Sequence, residues 1–351
     1  MFRLALAAAA VACALVAGPA GARTQDDAFS VHDLVSDTAT TAPTTDANLV
    51  NGWGLSAGPT TPWWTSNNGT NTTTLYNGSG AKQALTVAVP GAPTGTVFNG
   101  SASDFVVSQN GKTGAARFLF STEAGTILGW SPGVNAATAL TGVDRSSQGA
   151  VYKGLATMDD RLYATDFHNG RVDVFDASFN PVPLGNAFHD EKVPKGFAPF
   201  GIQALGGNIF VTYAKQDSAK MDDVAGGGLG YVDEFTPDGA LVAHVATGGR
   251  RNAPPNAPWG LALAPSTFGG FSGDLLVGNF GNGRISAYTT NAGKWVYKGQ
   301  LRLGDGTLVT IDGLWAIAFG NGAAAGPAST LYFLAGPGGE SHGLFGSITA
   351  G

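Results

Sequence analysis

Two stretches of this chain align without a gap over 14 residues, Leu162-Tyr-Ala-Thr-Asp-Phe-His-Asn-Gly-Arg-Val-Asp-Val-Phe175 and Leu275-Leu-Val-Gly-Asn-Phe-Gly-Asn-Gly-Arg-Ile-Ser-Ala-Tyr288. Each reads as strand, Asn-Gly turn, strand, because these turn residues tolerate the positive φ that a tight hairpin demands. A short apolar strand opened by glycine precedes both, Gly154-Leu-Ala-Thr157 in one and Pro258-Trp-Gly-Leu-Ala-Leu263 in the other. A repeated unit of this size cannot bury its apolar face alone, so it needs neighbours of its own kind.

The opener recurs at Gly52-Trp-Gly-Leu55, Asp104-Phe-Val-Val107, Lys153-Gly-Leu-Ala156, Pro199-Phe-Gly-Ile202, Pro258-Trp-Gly-Leu261 and Gly313-Leu-Trp-Ala-Ile317. A second apolar strand follows each, from Trp63-Trp64 in the first to Leu331-Tyr-Phe-Leu334 in the last. Six copies spaced by about 50 residues have the size of four-stranded blades, and the chain reads as all-β, a six-bladed β-propeller. The sixth copy runs out one strand short, after Leu344 to Ile348, while Phe29-Ser-Val-His-Asp-Leu-Val35 stands spare ahead of the first. Pairing the two would close the ring and cover an edge that otherwise invites aggregation. The 53 glycines and 18 prolines, with almost no Leu, Glu, Lys and Ala at helical spacing, agree with this reading.

Residues 1–22 read as a signal peptide: Arg3, the unbroken apolar run Leu4 to Ala17, and the small-x-small site Ala20-Gly21-Ala22. The domain is then 23–351, secreted or periplasmic, and no second apolar stretch long enough to span a membrane follows. The one cysteine, Cys13, falls within the apolar run, so the remaining chain has no thiol for disulfides, metal binding or nucleophilic attack. With 13% charged residues, a net charge of −6 and no basic stripe, nothing would drive nucleic-acid binding. No nucleophile elbow, phosphate loop or dinucleotide fingerprint appears.

Leu162 to Phe175 and Leu275 to Tyr288 resemble the blades of NHL-type six-bladed propellers. With Asn51-Gly-Trp-Gly-Leu55 and Pro258-Trp-Gly-Leu-Ala262, the chain after residue 22 also resembles an uncharacterised family of exported bacterial propeller proteins. The resemblance implies a propeller fold and export, and it implies no reaction.

In a propeller, the starts of the innermost strands and the turns between second and third strands share one face. The polar residues expected around that mouth are Asn51, Asp104, Lys153 and Asp312 at openers, and Asn67, Asn68, Glu123, Asp166, His168, Asn279, Glu340 and His342 in turns. Two longer loops point the same way, Gln216 to Gly227 with Lys220, Asp222 and Asp223, and Pro337 to Gly343. Long loops on one rim of a rigid scaffold are where function gathers.

Asn51, Asp104 and Asp312 could converge as oxygen ligands for calcium, similar to the central set of gluconolactonase- and paraoxonase-type lactonases; the alternative is hydrogen bonding to channel water. Asp166 with His168, joined by Glu340 and His342, could supply a tuned imidazole, with His168 and His342 the catalytic candidates. Asp166 could equally cap its turn as Asn279 would. His32, His189 and His244 read as surface residues, and the opener aromatics Trp53, Phe105, Phe200, Trp259 and Trp315 as blade-to-blade packing.

The leading expectation is a monomeric binding propeller that takes a small molecule, glycan or envelope protein at the rim of Lys153, Asp166, His168, Asn279 and Glu340. Its rival is a calcium-dependent lactonase, hydrolase or lyase at the channel mouth.

Overall fold

A computed structural model describes residues 28–39 and 42–351; residues 1–22, with the signal-peptide reading and Cys13, lie outside them. Six sheets form a closed six-bladed propeller, antiparallel throughout but for the two-residue strand Thr44–Thr45, which lies parallel to Phe29–Ser36 on the outside of the last blade. Blade one is Gly52–Ser56, Trp63–Asn67, Thr72–Tyr76 and Lys82–Ala88, from axis to rim, and blades four and five repeat this order from Phe197–Leu205 and Pro258–Leu263. Blade three keeps three strands, Tyr152–Met158, Arg161–Asp166 and Arg171–Phe175. Blade six takes three strands from Leu314–Phe319, Leu331–Ala335 and Leu344–Ala350, and its fourth is Phe29–Ser36. That strand pairs antiparallel from Phe29 opposite Ala350 to Ser36 opposite Leu344, so the expected clasp is present.

The glycine early in five of the six innermost strands, with Ala316 standing there in blade six, is explained by what stands behind it. A Cβ on Gly54 would lie 2.5 Å from Thr94 O in the next blade, and one on Gly201 would lie 2.2 Å from Trp259 O. Gly95, Gly154 and Gly260 meet the following blade's backbone in the same way, which lets neighbouring inner strands pack main chain to main chain around the axis. Hydroxyls on second strands then bridge blades: Thr165 Oγ1 donates to Phe200 O at 2.7 Å and Thr212 Oγ1 to Pro258 O at 2.6 Å. These buried polar groups are therefore satisfied between blades.

Blade two corrects the sequence reading. Its innermost strand is Pro93–Phe98, and Asp104 to Val107 leads into a hairpin, Val106–Gln109 with Lys112–Ala115, inserted before the second strand Phe118–Thr122. Connections between first and second strands lie on the face opposite the mouth, so Asp104 and Phe105 are there as well. The true opener, Pro93-Thr-Gly-Thr96, shares the Pro-x-Gly pattern of Pro199 and Pro258 but has Thr94 where the others carry an aromatic ring.

The adjacent Trp63 and Trp64 point to opposite sides of their strand, as pleating requires. Trp63 meets Tyr332 of blade six at 5.3 Å between centroids, and Trp64 stacks on Phe118 of blade two at 4.1 Å. Among the described residues no helix is long and apolar enough to cross a membrane.

Candidate functional site

The opener aromatics do more than join neighbouring blades. Trp53 of blade one stacks on Trp315 of blade six at 3.6 Å, meets Trp259 of blade five edge-on at 5.1 Å and reaches Phe200 of blade four at 6.3 Å. Phe280 stacks on the other side of Trp315 at 3.8 Å. Rings from opposed blades thus touch across the axis and plug it just beneath the mouth. Phe105 is not among them; it packs on Phe179 at the opposite face. Below the plug remains a cavity of about 60 Å³ walled by Gly54, Gly95, Gly154, Gly201 and Gly260.

On this aromatic floor sits Lys153, with no exposed surface. Its Nζ lies 4.7 Å from the Trp53 ring centroid, a cation–π contact that fixes its height on the axis. The ammonium pairs with Glu123, from the turn of blade two, and with Asp222 Oδ1 at 3.1 Å, from the long loop of blade four. The network continues around the ring. Asn68 Nδ2 donates to Glu123 Oε2 at 2.9 Å, Asn51 Nδ2 to Glu340 Oε2 at 2.7 Å, and Trp315 Nε1 to Asn51 Oδ1 at 3.0 Å. Blades one, two, three, four and six each contribute a polar side chain.

Both long loops expected at this rim reach the axis, and the blade-four loop is tied down where it starts. Gln216 Nε2 donates to Phe167 O at 2.6 Å, and Asp217 Oδ1 accepts the Met221 N–H at 2.9 Å. Beyond this anchor the loop lays Asp222 over Lys153, and Asp223 follows with Oδ2 buried and unpartnered.

Four carboxylates therefore surround one ammonium. Burial raises Asp223 to about 7; Lys153 opposes the rise, and Glu340 and Asp222 add to it. Burial also raises Glu340, against the Asn51 hydrogen bond. For Asp223 the folded value lies above the ordinary 3.8, so between these limits the folded state holds a proton that the unfolded state has released. Stability from this group is full at low pH and is lost as pH rises from about 4 to 7. Asp223→Asn is expected to remove a slope of at most about 1.4 kcal/mol per pH unit, read from urea midpoints at pH 5 and 7. An unchanged difference between variant and parent at the two pH values would show that Asp223 is not held in this way.

The sequence candidates separate into those at this centre and those elsewhere. Lys153, Glu340 and Asn51 belong to it. Asp312 is exposed at the mouth, where its Oδ2 accepts the Gly338 N–H at 2.9 Å. Asp104 accepts from Ser103 Oγ at 3.0 Å on the far face, so the structure does not bring Asn51, Asp104 and Asp312 together as a calcium set. The reason is the displaced opener of blade two.

Asp166 and Asn279 are fully buried and do equivalent work. Asp166 Oδ1 accepts the Val151 N–H at 3.2 Å and Asn279 Oδ1 the Asn256 N–H at 3.0 Å, each tying a turn to its own opener. His168 does not bond to Asp166, and its Nδ1 is buried without a hydrogen-bond partner. His342 turns to the clasp, with Nδ1 2.8 Å from Asp37 Oδ2. Asn68, Glu123, Asp222 and Asp223 were legible only as rim residues, because nothing in a short turn or loop states how far it reaches.

No family model matches the chain. It is similar to three proteins of Acanthamoeba polyphaga mimivirus. Uncharacterized protein R640 is 33% identical over 229 residues, 64% of this chain and 42% of that protein, so the chain spans less than half of that relative's length. Uncharacterized protein R648 is 31% identical over 86% of this chain and 76% of its own length, and uncharacterized protein L690 is 29% identical over 94% and 88%. Among solved structures, a streptogramin B lyase aligns with a TM-score of 0.55 at 12% identity over 94% of this chain and all of its own. The soluble aldose sugar dehydrogenase of Escherichia coli gives 0.53 at 14% over 92% and all of its own. A protein of unknown function from Bacteroides thetaiotaomicron gives 0.59 at 11% over 92% and 76%. At such identities these likenesses show the propeller fold alone.

Proposed function

The chain belongs to the family of mimivirus protein R648, and from that premise and the geometry of its mouth we propose a binding propeller that takes a small hydroxyl-rich molecule, a free sugar or a glycan end. One observation carries the reading: a buried ammonium on the axis, ringed by carboxylates that retain unused acceptor capacity. Asp223 Oδ2 has no partner, and Asp222, with 69% of its side chain exposed, faces arriving solute. Carboxylate and amide groups held rigidly over an aromatic floor suit hydroxyl donors. The ammonium already stands where an axial metal ion would balance Glu123 and Asp222, which favours this reading over calcium-dependent hydrolysis.

A second reading rests on Asp223. A carboxyl poised near neutrality beside a lysine can carry a proton, as a lyase or hydrolase requires. One set of measurements separates the two. Protein exported with residues 1–22 in place is expected to begin at Arg23 and to show a saturable rise in Tm across a panel of mono- and disaccharides, lost in Asp223→Asn with Glu340→Gln. Mass spectrometry is expected to return the sugar unchanged. A converted sugar selects the enzyme reading, and a shift with CaCl₂ that no sugar produces, abolished by chelation, selects the metal reading.

A further inference from the structure

Blade three lacks an outer strand, and residues 176–196 cross instead towards blade four. This crossing is pinned at Phe188, whose N–H donates to Gly239 O at 2.8 Å and whose ring packs between Tyr163 and Phe235 at 5.8 and 5.4 Å. Two residues on, Asp190 is buried against the outer strands of blade four. There Asp233, on Gly230–Phe235, stands directly opposite His244, on Leu241–Ala246. His244 is partly exposed, as expected of an outer strand, and its ring is engaged from within: its Nδ1 lies 3.1 Å from Asp190 Oδ2 and 3.0 Å from Asp233 Oδ1.

The arrangement is unsatisfied as it stands. Asp190 and Asp233 are 7% and 1% exposed, and among the described residues no lysine or arginine pairs with either. A single imidazole nitrogen carries one proton, which cannot be directed fully at two carboxylates. Asp190 Oδ1 is occupied by the Lys192 N–H at 2.9 Å, whereas Asp233 Oδ2 is buried with no hydrogen-bond partner. Buried carboxylates without compensating charge are costly.

We propose that Asp190, Asp233 and His244 form a binding site for a divalent transition-metal ion of the zinc class, which clamps the 176–196 crossing to blade four. The spacing fits. A tetrahedral ion bonded to His nitrogen and carboxylate oxygen at about 2.0–2.2 Å has neighbouring ligand atoms about 3.3–3.6 Å apart, so these side chains need spread by only a few tenths of an ångström to admit it. The three ligand atoms lie within 4.8 Å of one another, with two of the separations 3.0 and 3.1 Å. Two carboxylates and a neutral imidazole carry two negative charges, which the ion cancels, and Asp233 Oδ2 is free to serve as a further ligand. The imidazole favours zinc over calcium or magnesium.

Calorimetry on the full chain, stripped of metal and titrated with ZnCl₂, tests the site. One Zn²⁺ is expected to bind per chain, with a rise in Tm of several degrees. Asp233→Asn keeps the shape and removes a buried charge, so it is expected to retain or raise the metal-free Tm while abolishing both zinc effects. Glu340→Gln, at the mouth, is expected to bind zinc as the parent does. Absence of stoichiometric binding, binding unchanged in Asp233→Asn, or equal affinity for Ca²⁺ would overturn the assignment.

Discussion

A chain from which residues 29–36 have been deleted is expected to be recovered as aggregate, and a synthetic peptide of that segment added during refolding is expected to restore soluble protein. The strand supplies the main-chain partner for Leu344 to Ala350, so its loss bares an apolar edge of blade six and opens the ring. It also removes Phe29 and Val35, both buried, from the packing on either side of that blade. Phe29 alone meets Phe268 at 5.0 Å and Phe271 at 5.8 Å. Phe29→Ala is therefore expected to cost about 3–5 kcal/mol in urea unfolding, a large part of the 5–15 kcal/mol typical of a domain. Rescue by the peptide separates a missing strand from a damaged chain, because strand addition can supply the edge in trans. A deletion protein with the parent's midpoint would refute the closed ring.

Lys153→Met is expected to be the most damaging single change at the mouth, by about 3–5 kcal/mol at pH 7, since it leaves clustered carboxylates around a vacated charge. Methionine retains the stem that lies on Trp53, so the loss measures the ammonium. The sign of the pH dependence follows from its neighbours. Lys153 lowers the proton affinity of both Asp223 and Glu340, and without it their folded values climb further above the unfolded ones. The variant's remaining stability is therefore greatest at low pH and declines as pH rises through those values. Urea midpoints of parent and variant are expected to lie close together at pH 4 and far apart at pH 8. Glu340→Gln added to the variant is expected to recover part of the gap, and equal midpoints at pH 8 would sink the charge argument.

How much of this was readable from sequence depends on the range of each signal. Asn-Gly hairpins and glycine-marked openers are local and repeat at a fixed interval, so five blades and the clasp were placed by pattern. Blade two escaped because Thr94 replaces the aromatic ring of its opener, while of Asp104-Phe-Val-Val107 only Val106 and Val107 are in a strand, the first of an inserted hairpin. That single displacement carried Asp104 to the wrong face and with it the calcium set. Lys153 was visible as a charged opener and Glu340 as part of a lengthened turn, but their meeting with Glu123 and Asp222 depends on loop reach across the axis. His244 shows the limit more sharply, since its partner Asp190 comes from a crossing with no periodicity to read.

The stacked rings of Trp53, Trp315 and Phe280 have one more consequence. They make the molecule a cup with a floor rather than a pipe, so a solute that settles beside Lys153 can depart only by the route it entered. Whatever touches the hairpin at Val106 to Ala115 meets a separate surface, on the opposite side of the disc from Lys153.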